Sequence, residues 1–232
     1  MHKKLIPAQD CPRLIEKFNA SAEKVEFNSK KNSLYFYNSE VKIGQIRLPI
    51  HWKSPDDMSQ NRLEDTNYIL LIIRSGIAAV GYFENGDNMD HKVFRAYMVR
   101  KKQGKSQIKH LNTKGKSRAG SRVRLAETLE FFENINSRLT KYINEFRVDK
   151  IGISYATTLV PYLFGSKVST PFQKDDPRIF KIPTHISHPT YDSLLEVNDF
   201  LLKATVQYVD SLATLLDVPN DNSDKEEDLE DW

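Results

Sequence analysis

The chain has 232 residues, 39% of them hydrophobic, and a formal net charge of +3, which is enough chain to bury one sizeable core or a core with extensions. It contains no run of eighteen apolar residues, and the opening Met-His-Lys-Lys-Leu-Ile-Pro is not followed by an apolar region; a helical membrane span and a secretory signal are therefore excluded, and the cytoplasm is the expected location. The single Cys11 excludes an internal disulfide and a cysteine-held zinc, so the expectation is a metal-free, cofactor-free protein of a reducing compartment.

Residues 1–65 are polar and mixed, with an amphipathic run near Pro12 to Ala22 and strand-like pieces at Leu34–Tyr37 and Val41–Leu48. They read as an N-terminal extension whose role the sequence does not reveal. Pro49 and Pro55-Asp56-Asp57 punctuate the chain before the main domain, expected over 66–216. Asn67–Arg74 is a nearly continuous aliphatic run of strand length, the pattern of a strand buried on both faces. Ser75-Gly76 turns into a second strand, Ile77–Phe83. A loop over Glu84–Asn88 with the Asn-Gly turn signal then leads to a third, Lys92–Arg100.

Beyond a basic stretch, Leu125, Leu129, Phe132, Leu139, Ile143 and Phe146 recur at spacings of three, four and seven, which predicts a long helix from about Ala119 with that stripe on the sheet. Val148–Tyr155 and Arg178–Ile182 read as strands, Pro161–Gly165 as a brief helix, and Thr190 as the N-cap of a final helix to about Leu216. The order βββαβαβα predicts an α/β (α+β) fold, a mixed five-stranded sheet flanked by helices, like the ribonuclease-H-like arrangement. A two-metal nuclease of that shape needs carboxylates on the central strands. Asn67–Ile73 and Ile151–Tyr155 carry none.

The stretch Val99–Arg124 repeats Gly-Lys-Ser, but Val99 and His110 stand where a phosphate-binding loop requires its first glycine. What distinguishes it is charge. Lys101, Lys102, Lys105, Lys109, Lys114, Lys116, Arg118, Arg122 and Arg124 lie in a run without an acidic residue, which calls for an anionic partner. Few aromatics interrupt the run, so base stacking is not its expected mode. Residues 217–232 are the opposite: Asp217, Asp221, Asp224, Glu226, Glu227, Asp228, Glu230 and Asp231 oppose only Lys225, the composition of a disordered acidic tail. His185 and His188 form an H-x-x-H pair with no obvious third ligand, and Asp175-Asp176-Pro177 reads as a turn.

The runs Arg100-Lys-Lys-Gln-Gly104-Lys105-Ser106-Gln107 and Lys116-Ser-Arg118-Ala119-Gly120-Ser-Arg122-Val-Arg124 resemble the Vms-type release-factor-like domains of ribosome-quality-control proteins. Those domains carry K-Q-G-G-S-Q, a linker, K-S-A-G and an arginine-containing helix start. Lys181-Ile-Pro183 and His188-Pro189-Thr190 resemble later elements of the family, and the likeness covers roughly residues 66–210. It implies a release-factor catalytic-domain-like fold and metal-independent hydrolysis of the ester between nascent peptide and tRNA.

By that resemblance Gln107 positions the attacking water, Gly104, Lys105 and Ser106 shape the loop, and Lys101, Lys102, Lys109, Lys114, Lys116, Arg118, Arg122 and Arg124 contact RNA. The partners implied are the ribosome, through large-subunit rRNA, and peptidyl-tRNA; neither DNA nor a membrane is expected. A loop over 101–118, reaching out and back at ~3.3 Å per residue, would project roughly 25 Å. Lys105 replaces the second family glycine, and a left-handed backbone there would cost lysine about 1–2 kcal/mol. That replacement motivates the alternative of a non-catalytic ribosome-binding factor of the same fold.

Overall fold

Asn67–Arg74 (β5) is buried along its whole interior, with Ile69, Leu70, Leu71, Ile72 and Ile73 fully inaccessible. A strand this apolar has to be covered on both faces, and it lies at the centre of a five-stranded sheet. The computed structural model describes residues 1–52, 54, 65–96 and 119–216, and side chains in the helix from residue 126 onward. Ile77–Glu84 (β6) and Asp87–Arg95 (β7) follow β5 as antiparallel neighbours, while Lys150–Tyr155 (β8) and Ile179–Lys181 (β9) add in parallel on the other side. The order β7-β6-β5-β8-β9 is the mixed five-stranded sheet expected.

The third strand begins earlier than the sequence reading placed it. Asn85 and Gly86 both have positive φ, 52° and 98°, which builds a two-residue hairpin turn. Pairing therefore resumes at once, with Glu84 opposite Asp87.

Helix Ala119–Glu145 (α2) covers one face of this sheet. Its buried side chains are Thr128, Phe131, Phe132, Ile135, Asn136, Leu139 and Tyr142. Leu129, expected on the stripe, is 37% exposed. The aromatic pair Phe131–Phe132 turns the buried stripe by one position, and Ile143 and Phe146 pack at its margin. Helix Tyr191–Leu202 (α4) covers the other face through Leu194, Val197 and Leu201, its N-terminus closed by the reciprocal Thr190–Ser193 capping box. Between them lies the short helix Val160–Phe164 (α3).

The final helix stops at Leu202, well before Leu216. Ala204–Tyr208 (β10), followed by a 3-10 turn over Asp210–Leu216, is buried over its first three positions and half-buried over the last two, with the β-branched pair Thr205-Val206 at its middle. It joins a second, antiparallel sheet of order β1-β10-β4-β3-β2, whose other strands come from the first fifty residues: His2–Ile6 (β1), Lys24–Asn28 (β2), Ser33–Asn38 (β3) and Val41–Arg47 (β4). Helix Cys11–Ser21 (α1) packs Leu14, Ile15 and Phe18 onto one face, against Leu34, Phe36, Ile46 and Val206.

Arg47 ties this sheet to α4. Its buried guanidinium donates to the carbonyls of Phe200 at 2.9 Å, Lys203 at 2.7 Å and Leu48 at 3.1 Å, and to Thr205 Oγ1 at 3.0 Å. A cation at the C-terminal end of a helix is favourably placed against the helix dipole.

Candidate functional site: the pole of the sheet that carries the basic loop

The two ends of the central sheet differ in charge. At one end the strands terminate in Arg74, Ile77, Arg95, Tyr155 and Lys181; at the other, in Asn67, Glu84, Asp87, Lys150 and Ile179. The first pole therefore has three cations and no carboxylate among its strand ends, and the second has two carboxylates and one cation. The described chain breaks off at the first pole. The last described residue before 97–118, Ala96, donates its backbone N–H to Gly76 O at 2.9 Å, beside the β5–β6 turn. This is also the C-terminal end of the parallel strands β5, β8 and β9, the end at which open α/β sheets present their ligand sites.

The chain re-enters the described structure as α2. Its 27 residues span about 40 Å at 1.5 Å per residue, against roughly 26 Å for an eight-residue strand. Its described buried side chains run from Thr128 to Tyr142, and just past its C-terminal end Phe146 stacks on Tyr82 with ring centroids 4.3 Å apart. Arg122 and Arg124 belong to the first two turns of α2, and the unpaired N–H groups at the start of a helix add positive potential.

Side-chain contacts tie α2 to its neighbours. Arg138 Nη2 donates to both carboxylate oxygens of Asp90, each at 2.6 Å, which clamps α2 to the edge strand β7. Its guanidinium also lies 4.9 Å from the Tyr142 ring centre. Burial pushes the Tyr142 phenol up to about 12, so it stays neutral at physiological pH. Asn136, fully buried, donates through Nδ2 to Leu163 O at 2.9 Å and Val168 O at 2.7 Å, which binds α2 to the segment around α3.

Arg74 is a residue the sequence reading passed over. Its Nη1 donates to Ser154 O at 3.1 Å and its Nη2 to Ser154 Oγ at 3.0 Å, so the charge bridges β5 and β8 at the cationic pole. Partial burial lowers its pKa below the ordinary guanidinium value, yet guanidinium remains charged in proteins. The available signal was a lone cation ending an otherwise apolar strand.

Gln107, Gly104, Lys105 and Ser106, with Lys101, Lys102, Lys109, Lys114, Lys116 and Arg118, lie outside the described residues, as does the acidic segment 217–232. Arg122 and Arg124 are helical in backbone. His185 and His188 are both exposed between β9 and α4, and no group of three or more potential metal ligands occurs among the described residues. Asp176 accepts from Arg178 at 2.7 Å, the turn expected there. No helix among the described residues is long and apolar enough to cross a membrane.

The mouse protein named tRNA endonuclease ANKZF1 (Mus musculus) is 27% identical over 141 residues, covering 56% of this chain and 18% of its own length. The chain thus spans less than a fifth of that relative. Among solved structures, the Vms1 mitochondrial localization core aligns with a TM-score of 0.39 at 13% identity, covering 86% of this chain and 87% of that one. Archaeoglobus fulgidus Pelota aligns with a TM-score of 0.32 at 13% identity, covering 86% and 63%. The model of the Bacteroidetes VLRF1 release factor family matches residues 68–209, from the first core position of β5 to the end of β10, and the chain belongs to that family.

Proposed function

We propose that this protein hydrolyses the ester of peptidyl-tRNA on stalled ribosomes or separated large subunits, with Gln107 as the residue that places the attacking water. The observation that carries the reading is the position of Ala96, the last described residue before residues 97–118, at the cationic pole of the sheet, with α2 beginning at Ala119. The sequence position of the glutamine motif, directly after that pole, supports an approach to an anionic partner there.

The chemistry fits the residues. An ester already activated by its ribose needs a held water and a donor for the developing oxyanion more than a strong base. A neutral amide supplies both functions. The central strands are apolar from Ile69 to Ile73, so this reading uses no carboxylate pair there. Lysines and arginines of the loop neutralise phosphates, and binding weakens with salt by a log–log slope of about 0.7–0.9 per phosphate contacted.

A second reading takes its motive from the mouse relative, whose name assigns it endonuclease activity on tRNA. The two differ in product. Ester hydrolysis frees the peptide and leaves full-length tRNA, whereas strand scission leaves the peptide on a 3′ tRNA fragment and frees a shortened 5′ remainder. The third possibility, occupancy without chemistry, follows from Lys105. The test is product analysis on ribosome complexes together with co-sedimentation. Gln107→Ala is expected to abolish peptide release while the protein still sediments with ribosomes, and charge reversal at Lys109, Arg118 and Arg122 is expected to abolish both. Shortened tRNA, or release that survives Gln107→Ala, would reject the hydrolase reading.

A further inference from the structure

The second sheet has two unlike faces. One is closed by α1. The other carries a row that crosses all five strands in register, Lys3–Gln207–Gln45–Tyr35–Glu26, and beside it a shorter row, Lys42–Tyr37–Lys24. Tyr35 and Tyr37 are half-buried, as are Gln45, Gln207 and Lys42, while Lys3 and Lys24 are exposed.

These side chains touch. Lys42 Nζ lies 5.7 Å from the Tyr35 ring centre and Lys24 Nζ 6.0 Å from that of Tyr37, and Lys42 donates to Gln45 Oε1 at 3.4 Å. Glu26 pairs with Lys24 at 2.9 Å and is the acid at the edge of the row; Glu40 acts on Lys24 from the β3–β4 turn. At the other end, Lys3 lies 5.8 Å from the Phe200 ring, where α4 meets the sheet.

We propose that this face is a binding platform for single-stranded RNA. The basic loop lacks stacking rings, and this face supplies them. Tyr35 and Tyr37 are two residues apart on one strand, about 6.6 Å, so each ring takes a separate base. Stacking on sheet-borne aromatics is tolerant of sequence because every base has a π-face. Gln45 and Gln207 stand in the same row with amide donors and acceptors for base edges. The lysines sit at the outer limit of cation–π distance on long flexible stems, and they can swing from the rings to phosphates as bases displace them. The charge and the rings together select the occupant: three lysines against the one carboxylate of the two rows favour a polyanion, and two stacking rings in line favour one that carries a planar group at every repeat, as RNA does.

The platform also lies away from Ala96, the last described residue before 97–118. Arg47 and α4 fasten this sheet near Leu202 and Gly86, at the end of the central sheet opposite the cationic pole. RNA held there is therefore a second contact, independent of Gln107.

The experiment is photocrosslinking of the full chain to a short fluorescein-labelled oligouridylate, with the adducts mapped by mass spectrometry. Affinity is then measured by anisotropy in a chain whose Lys101, Lys102, Lys109, Lys114 and Lys116 are replaced by serine. Adducts are expected on Tyr35 or Tyr37, and Tyr35→Leu with Tyr37→Leu is expected to weaken binding at least tenfold, while Tyr35→Phe with Tyr37→Phe retains it. Should the leucine variant fold poorly, Lys3→Glu with Lys42→Glu is expected to give the same loss. Gln107→Ala is expected to leave this binding unchanged, which separates the platform from the hydrolase reading. Adducts confined to other residues, no adducts at all, or tight binding by the folded leucine variant or the glutamate variant would overturn it.

Discussion

One guanidinium nitrogen of Arg138 on α2 serves both oxygens of Asp90 on β7, at 2.6 Å each. These are the two elements between which residues 97–118 are strung. The pair is partly shielded, with side chains 21% and 34% exposed, so it is worth more than an open surface bridge. Arg138→Ala is expected to lower unfolding free energy by about 1–3 kcal/mol. A double-mutant cycle with Asp90→Ala should return a coupling of about 0.5–3 kcal/mol. Urea titration measures both.

Asn136 is fully buried and its amide nitrogen serves two carbonyls. Asn136→Leu is close in size but leaves Leu163 O and Val168 O without that donor. Each unpaired group costs about 1–3 kcal/mol, so the loss should exceed that of Arg138→Ala in the same titration. The contact runs from α2 to the α3 segment, and amide exchange should rise at residues 163–168 first.

Gly152 sits in the parallel strand β8, where an added Cβ would meet Phe180 Cζ at 2.7 Å and Leu70 Cδ2 at 2.8 Å. Gly152→Ala must displace a ring and a leucine on the α4 side of the sheet, and is expected to cost about 1–3 kcal/mol. A thermal melt checks it; an unchanged melt would mean that Phe180 yields freely.

The central sheet could be read from residues because its rules are local. Apolar runs of strand length, the Asn85-Gly86 turn and the helix-period stripe after Ala119 each carry their own signal. The ends of elements were less legible. The Leu129 position rests on how Phe131 and Phe132 divide the interface with the sheet, and the strand Ala204–Tyr208 was absorbed into a helix because Leu201, Leu202, Leu212 and Leu216 continue an apolar pattern on either side of it. Its partners, β1 and β4, are 150 or more residues away, and no local pattern reports such a pairing. Of the candidate site, the glutamine motif and the cations were visible as composition. Arg74, the clamp at Asp90 and the sorting of charge by pole exist only once the strands are in register.

Acid stability should depend on Asp176. Hydrogen bonds from Arg178, at 2.7 and 3.0 Å, hold its carboxyl below the ordinary carboxylate value of 3.8. Since the folded pKa is the lower one, this contribution is present above the unfolded pKa and disappears as pH falls through the folded value. Asp176→Asn is therefore expected to destabilise the protein at pH values above 3.8 and to make little difference once acid has protonated the carboxylate, as read by chemical unfolding across that range.

On the proposed reading, the amide of Gln107 takes part in breaking an ester. The direct measurement is single-turnover peptide release from purified peptidyl-tRNA–ribosome complexes at saturating protein, comparing the native chain with Gln107→Ala and Lys105→Gly. Loss of one positioned donor typically slows such a step by about 10²–10³-fold; the account predicts a fall of that order for Gln107→Ala and release by Lys105→Gly at least as fast as the native rate. Equal rates for the native and alanine chains, or no release from either the native chain or the glycine variant, would contradict it.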